Sequence, residues 1–196
     1  MKTSTATHDV RGFTLIELLV VVAIIAIVGG MAVPAITSSS AQMKLATSVR
    51  RVERELHTAN MKAVRSDRVM RVRFNCPAAG QYRMVEVLGT IATPATDDSD
   101  ARAATRCNQT NYPYPDADPD FFSAPNNDGP LLALPTGMAF TSTQTIDFWP
   151  NGSAHTVGAS TPIAGAGVTL QVYDVKLGTT SSKSITVNGL GKISLH

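Results

Sequence analysis

Cysteine is scarce in this chain: Cys76 and Cys107 are the only two among 196 residues. Two cysteines exclude a disulfide-dense scaffold and a four-cysteine zinc site. An excess of one charge sign is also lacking, since 17 Lys and Arg stand against 15 Asp and Glu, a formal net charge of +2. That balance is too even for the total alone to argue for a nucleic-acid partner. Only 6% of the residues are aromatic and 16% charged, yet 43% are hydrophobic. A disordered chain would be less hydrophobic and more unbalanced in charge, so disorder is excluded for most of the sequence. The length fits one domain with an appendage rather than two full domains.

Catalytic signatures are missing as well. There is no G-x-S-x-G, no Walker A loop and no H-E-x-x-H, so no nucleophile, phosphate cradle or zinc pair is marked. His8, His57, His155 and His196 are scattered without ligand spacing. The expectation is a chain that is not an enzyme, with no cofactor and no metal. Asp116, Asp118 and Asp120 alternate, and Asp97, Asp98 and Asp100 lie nearby. Alternating carboxylates can ligate calcium, but Phe121 stands where an EF-hand needs glycine and no glutamate closes the loop. A solvated acidic loop accounts for them.

What is present is concentrated near the N-terminus. Phe13 to Val33 is apolar apart from Glu17. About 20 residues of helix span a hydrocarbon core of about 30 Å. A secretory signal peptide would have a shorter run and a small-residue cleavage site. A plain signal anchor matches the hydrophobicity but leaves Glu17 unexplained. A carboxylate there costs about 2.5–3.5 kcal/mol on insertion scales, which makes it a functional residue by default. Pro34 follows Gly29 and Gly30; it either kinks a continuing helix or marks the membrane exit.

The segment from Gly12 to Ile36, GFTLIELLVVVAIIAIVGGMAVPAI, resembles the N-terminal signature of type IV pilins and type II secretion pseudopilins. The resemblance implies that a prepilin peptidase cuts between Gly12 and Phe13, and that the new N-terminus at Phe13 is N-methylated. Glu17 matches the family's glutamate and Pro34 its helix-kinking proline. Cleavage would leave a free amine four residues from Glu17. An amine and a carboxylate in hydrocarbon relieve each other's desolvation when paired, so Glu17 of one subunit can set the register of the next. The implied organisation is a leader at 1–12, a membrane-spanning and filament-core helix at 13–36, and a periplasmic globular domain at 37–196 on a protein anchored once in the bacterial inner membrane. The implied partners are other pilins or pseudopilins, the peptidase and an assembly platform.

Downstream, Leu45, Val49, Val52, Leu56, Ala59 and Ala63 recur at alternating steps of four and three, the stripe of an amphipathic helix. One long helix is therefore predicted to about Ser66, with a second half that needs a sheet to cover it. Strands are predicted at Val69–Phe74, Tyr82–Leu88, Thr145–Trp149, Val168–Val175, Ser184–Val187 and Lys192–Leu195, the last two closed around Asn188-Gly189. In the first strand Met70, Val72 and Phe74 share one face, and Arg71 and Arg73 the other. Thr93 to about Pro135 is a long Pro-, Asp- and Asn-rich excursion, with room for short hidden strands. The fold class is α+β: a long N-terminal helix packed on antiparallel sheet, pilin-like. The pieces IDFWPNG and Val187 to Leu195 resemble the GspH/FimT branch of minor pseudopilins.

The implied periplasmic location permits disulfides. A Cys76–Cys107 bridge is expected, with two free buried thiols as the alternative. From Lys44 to Arg73 nine basic residues face three acidic ones, enough to contact phosphates. Some FimT-type minor pilins bind DNA through a G-R-x-R pattern near the C-terminus; here the place reads Gly189-Leu190-Gly191-Lys192, with one basic residue. The alternative function is therefore a type IV pilus minor pilin binding DNA for natural transformation, through Arg71, Arg73 and Lys192. The leading one is a structural subunit of a type II secretion pseudopilus or type IV pilus that supports protein export.

Overall fold

The structure, a computed structural model, describes residues 13–88, 103–113, 127–141 and 144–196, without the side chains of residues 31–38, 103 and 104. Gly12, the rest of the expected leader and the aspartates at 97, 98, 100, 116, 118 and 120 lie outside the described residues.

Helix α1 runs Leu15–Ser66. Its start is capped by Thr14, whose Oγ1 accepts the Glu17 backbone N–H at 3.3 Å. Thr14-x-x-Glu17 has the form of a capping box, and a carboxylate in the first turn complements the helix dipole. The helix stops where Asp67 turns left-handed at φ 54°. Every residue from Phe13 to Gly30 is exposed, so this half is apolar all round with no protein covering it. Among the described residues no helix is long and apolar enough to cross a membrane. The run expected to span one extends to Val33, past the last described side chain of this stretch at Gly30.

The chain forms two units, one ending at Gln42 and the other beginning at Met43. In the second, the predicted stripe from Leu45 to Ala63 is buried at all six positions. It joins a core lined by two antiparallel sheets. The strands are β1 Met70–Phe74, β2 Gln81–Glu86, β3 Leu132–Ala133, β4 Met138–Phe140, β5 Ile146–Phe148, β6 Ala154–Thr156, β7 Val168–Asp174, β8 Gly178–Val187 and β9 Ile193–Leu195; a short helix α2, Ala103–Arg106, precedes β3. One sheet has the order β3-β2-β1-β5-β6 and the other β4-β7-β8-β9. The protein is α+β, a long helix packed on antiparallel sheet.

Aromatic contacts join the two sheets: Phe140 of β4 lies 5.2 Å from Phe74 of β1 and 5.7 Å from Tyr82 of β2, both edge to face. Tyr82 is fully buried, and its hydroxyl has no hydrogen-bond partner among the described residues. Burial pushes this phenol up to about 12. An unpartnered buried hydroxyl forfeits its hydration without compensation. Tyr82→Phe should therefore raise stability by about 1 kcal/mol, read as a higher urea midpoint at unchanged slope. A lower midpoint would mean that the hydroxyl is satisfied in solution.

Strands β4 and β6 and helix α2 escape the sequence prediction, because each holds only three or four residues, too few to show a period, while β3 is one of the short strands for which the excursion left room. Strand β8 begins at Gly178 rather than Ser184; its first half alternates small polar residues that carry no hydrophobic signal. The larger correction concerns β1. All five of its residues are buried, so the face carrying Arg71 and Arg73, offered above as a DNA contact, is covered.

Candidate functional site

Three places in the molecule concentrate polar chemistry. The first is the N-terminal end of α1. Phe13 is exposed, and Glu17 sits in the first helical turn with its carboxylate in the open. Helix α1 includes position 34, but the Pro34 side chain is among those not described.

The second is a buried ionic layer on the sheet face away from the helix. Arg71 pairs with Asp147 directly opposite on β5, through Nε to Oδ1 at 2.6 Å and Nη2 to Oδ2 at 2.7 Å. Arg83 donates from Nε to the Gly129 carbonyl at 2.8 Å and from Nη2 to the Tyr112 carbonyl at 2.5 Å. Arg106 grips Asp128 with both terminal nitrogens, donates to the Glu86 carbonyl at 2.7 Å, and stacks over the Tyr112 ring at 4.4 Å. Asp128 Oδ1 also accepts the Glu86 backbone N–H at 2.7 Å. Burial lowers the Arg83 guanidinium from its ordinary value. Burial also raises the Asp128 carboxyl, against the opposing pull of Arg106 and Arg83.

Cys76 and Cys107 are bonded, with their Cα atoms 5.7 Å apart. The bridge ties the end of α2 to the loop after β1, beside the arginine layer. A 31-residue loop closed this way stabilises by about 3–4 kcal/mol in the chain-entropy account. Segments 103–113 and 127–130 are thus held to the sheet by guanidinium, carboxylate and sulfur rather than by an apolar core.

The third place is a pair of turns locked together. The Asn188 carboxamide Oδ1 accepts the backbone N–H groups of Leu190 and Lys192, at 3.1 and 2.9 Å. Ala154 N–H donates to the Gly189 carbonyl at 3.1 Å, and Asn60 Nδ2 of α1 to the Gly191 carbonyl at 3.2 Å. Leu190, at the apex, is 86% exposed. In the facing turn, Ser153 Oγ lies 2.8 Å from His155 Nε2, and the His155 ring stacks on Trp149 at 4.0 Å. The resulting Ser–His pair is not backed by a carboxylate: His155 Nδ1 lies against the Ala159 carbonyl at 3.2 Å. Asp147, its cross-strand neighbour, is taken by Arg71.

The residues expected to meet DNA are not brought together on a surface. Arg71 and Arg73 are 4% and 2% exposed, and Lys192 alone of the three faces solvent. A guanidinium clamped to a buried carboxylate offers nothing to a phosphate. Arg83, Arg106 and Asp128 were not legible as a site. The one signal is the density of arginine on neighbouring strands, Arg71 and Arg73 of β1 and Arg83 of β2, which calls for carboxylates delivered from elsewhere in the chain.

Residues 7–33 match the prokaryotic N-terminal methylation motif. Comparison with curated proteins yields no match. Among solved structures, the minor pseudopilin EpsH from the Type 2 Secretion System of Vibrio cholerae is similar at 12% identity and a TM-score of 0.44, over 78% of this chain and 96% of that one.

Proposed function

We propose that this chain is a minor pseudopilin-type subunit of a type II secretion pseudopilus or type IV pilus, held in the inner membrane before assembly. The observation that carries the reading is the methylation motif at residues 7–33, with Glu17 in the exposed first turn of a helix whose first half is otherwise apolar on every side. Such a helix requires lipid or neighbouring helices around it. A peptidase removes residues 1–12, Phe13 becomes the methylated N-terminus, and its amine pairs with Glu17 of a neighbour. The domain after Gln42 then stands in the periplasm and presents its surface to partners in export. The protein acts by assembly, without a catalytic step of its own.

Mass spectrometry of the protein from a host with an active prepilin peptidase tests this directly. The expected mature species begins at N-methylated Phe13; an intact leader overturns the proposal. Glu17 also belongs to the capping box, so its charge and its cap must be separated. Glu17→Gln keeps a capping side chain and removes the charge. It should leave processing and insertion intact and reduce filament incorporation about tenfold, the cost of one unpaired ion worth about 1.4 kcal/mol or more. Normal incorporation of that variant would leave Glu17 as a cap alone.

A further inference from the structure

Helix α1 carries a second stripe that the core does not use. Met43, Thr47, Arg50, Arg54, His57, Met61 and Val64 recur at steps of four and three, and every one is exposed. This spacing places them along a single line about 32 Å long, on the side of the helix away from the buried stripe. The pattern is that of a coiled-coil seam, apolar at both ends and basic in the middle. Met43, Met61 and Val64 are 69%, 66% and 54% exposed. Thr47 turns its hydroxyl back to the Met43 carbonyl at 2.9 Å, which satisfies it within the helix.

The charges around the seam do not neutralise it. Glu53 lines the same shallow groove as Thr47, Arg50 and Arg54. Glu55 lies on the far flank, in the field of Arg51 and Lys62. Lys44, Arg51 and Arg65 add further exposed positive charge along the edges. Arg50 and Arg54 form no ion pair among the described residues.

We infer that this seam docks a helix of a different chain, one with carboxylates at its central positions and apolar residues at either end, and that the seam excludes a second copy of itself. Self-pairing in parallel register sets Arg50 on Arg50 and Arg54 on Arg54. Antiparallel self-pairing sets Arg54 on Arg54 and Arg50 on His57. Both oppose like charge at the centre, where a seam is least hydrated. A nucleic acid would answer the arginines but leave Met43, Met61 and Val64 without a partner, so the composition favours a protein. The inference deepens the filament-subunit reading, on which it rests, by stating the chemistry of the helix that this seam receives.

The test uses the full chain in its native host, with a photocrosslinking amino acid at Thr47 or Met61 and a second, differently tagged copy present. The expected product joins this chain to a helix of another protein that carries at least two Asp or Glu in the crosslinked segment. Arg50→Glu with Arg54→Glu should lower its yield at least tenfold, Arg50→Lys with Arg54→Lys should preserve it, and Lys at the partner's carboxylates should restore it with the Glu variant. A crosslink to the second copy, a nucleic-acid adduct, a partner segment without carboxylates, a yield indifferent to charge reversal, or no crosslink at either position would each overturn the inference. An uncleaved leader together with the expected crosslink would sink the filament reading and leave the seam standing.

Discussion

Asp128→Ala is expected to destabilise the protein by about 3–5 kcal/mol, a loss that comes from breaking a buried ion pair rather than from lost apolar contact. The side chains of Asp128, Arg83 and Arg106 are all fully buried. Removing the carboxylate leaves Arg106 with the Glu86 carbonyl and the Tyr112 ring, and Arg83 with three backbone carbonyls. Those groups accept hydrogen bonds but do not cancel two positive charges. The Glu86 backbone N–H loses its acceptor as well. Asp128→Asn should fall between wild type and alanine, because the amide oxygen still accepts but carries no charge. Urea unfolding of the full chain, followed through the single tryptophan, Trp149, checks both. A loss below about 1 kcal/mol for alanine would mean that water reaches the guanidinium groups and that the layer is not a closed clamp.

Gly191→Ala is expected to cost about 3 kcal/mol, with the damage confined to the locked turns. Gly191 has φ +71°, and a Cβ there would stand 2.2 Å from the Gly152 carbonyl oxygen and 2.7 Å from Asn60 Nδ2. The first neighbour is backbone and cannot swing aside. The turns must part, which also breaks the bond from Asn60 of α1 to the Gly191 carbonyl. Gly152→Ala isolates the conformational share of this cost: Gly152 has φ +82°, but its Cβ would meet nothing within 4 Å. It should lose only about 1 kcal/mol. Trp149 brackets the same turn through its hydrogen bonds to Ser153 and Gly152, so its emission should shift for Gly191→Ala and hold for Gly152→Ala. Equal losses for the two variants would show that the contact between turns is slack.

The long-range features divide by the distance over which their causes act. The helix to Ser66, its buried stripe and its cap at Thr14 are written in contiguous residues, since periodicity and capping are local physics. Strands β1, β2, β5 and β7 were legible because β-branched and aromatic residues cluster there between turn signals. The hairpin at Asn188-Gly189 was legible from two residues. A disulfide was expected from the only two cysteines, and the bond is present.

The arginine layer is different. Alternation in Met70–Phe74 assigns Arg71 and Arg73 to a second face but cannot say whether water or protein covers it. That was decided by Asp147, 76 residues away from Arg71, and by Asp128, 22 residues from Arg106 and 42 from Glu86. No local preference encodes such pairings. The sequence by itself determined the methylation motif, the helix and the α+β class, because each depends on short-range pattern. Tertiary structure alone decided that Arg71 of β1 and Arg83 of β2 are clamps rather than phosphate contacts, and that Arg73 is buried beside them. It also decided that the apolar tip of the Gly-Leu-Gly turn is held outward and that a second helical stripe stays bare. Exposure is a property of what folds back over a residue, and the residue's own neighbours in sequence do not carry it.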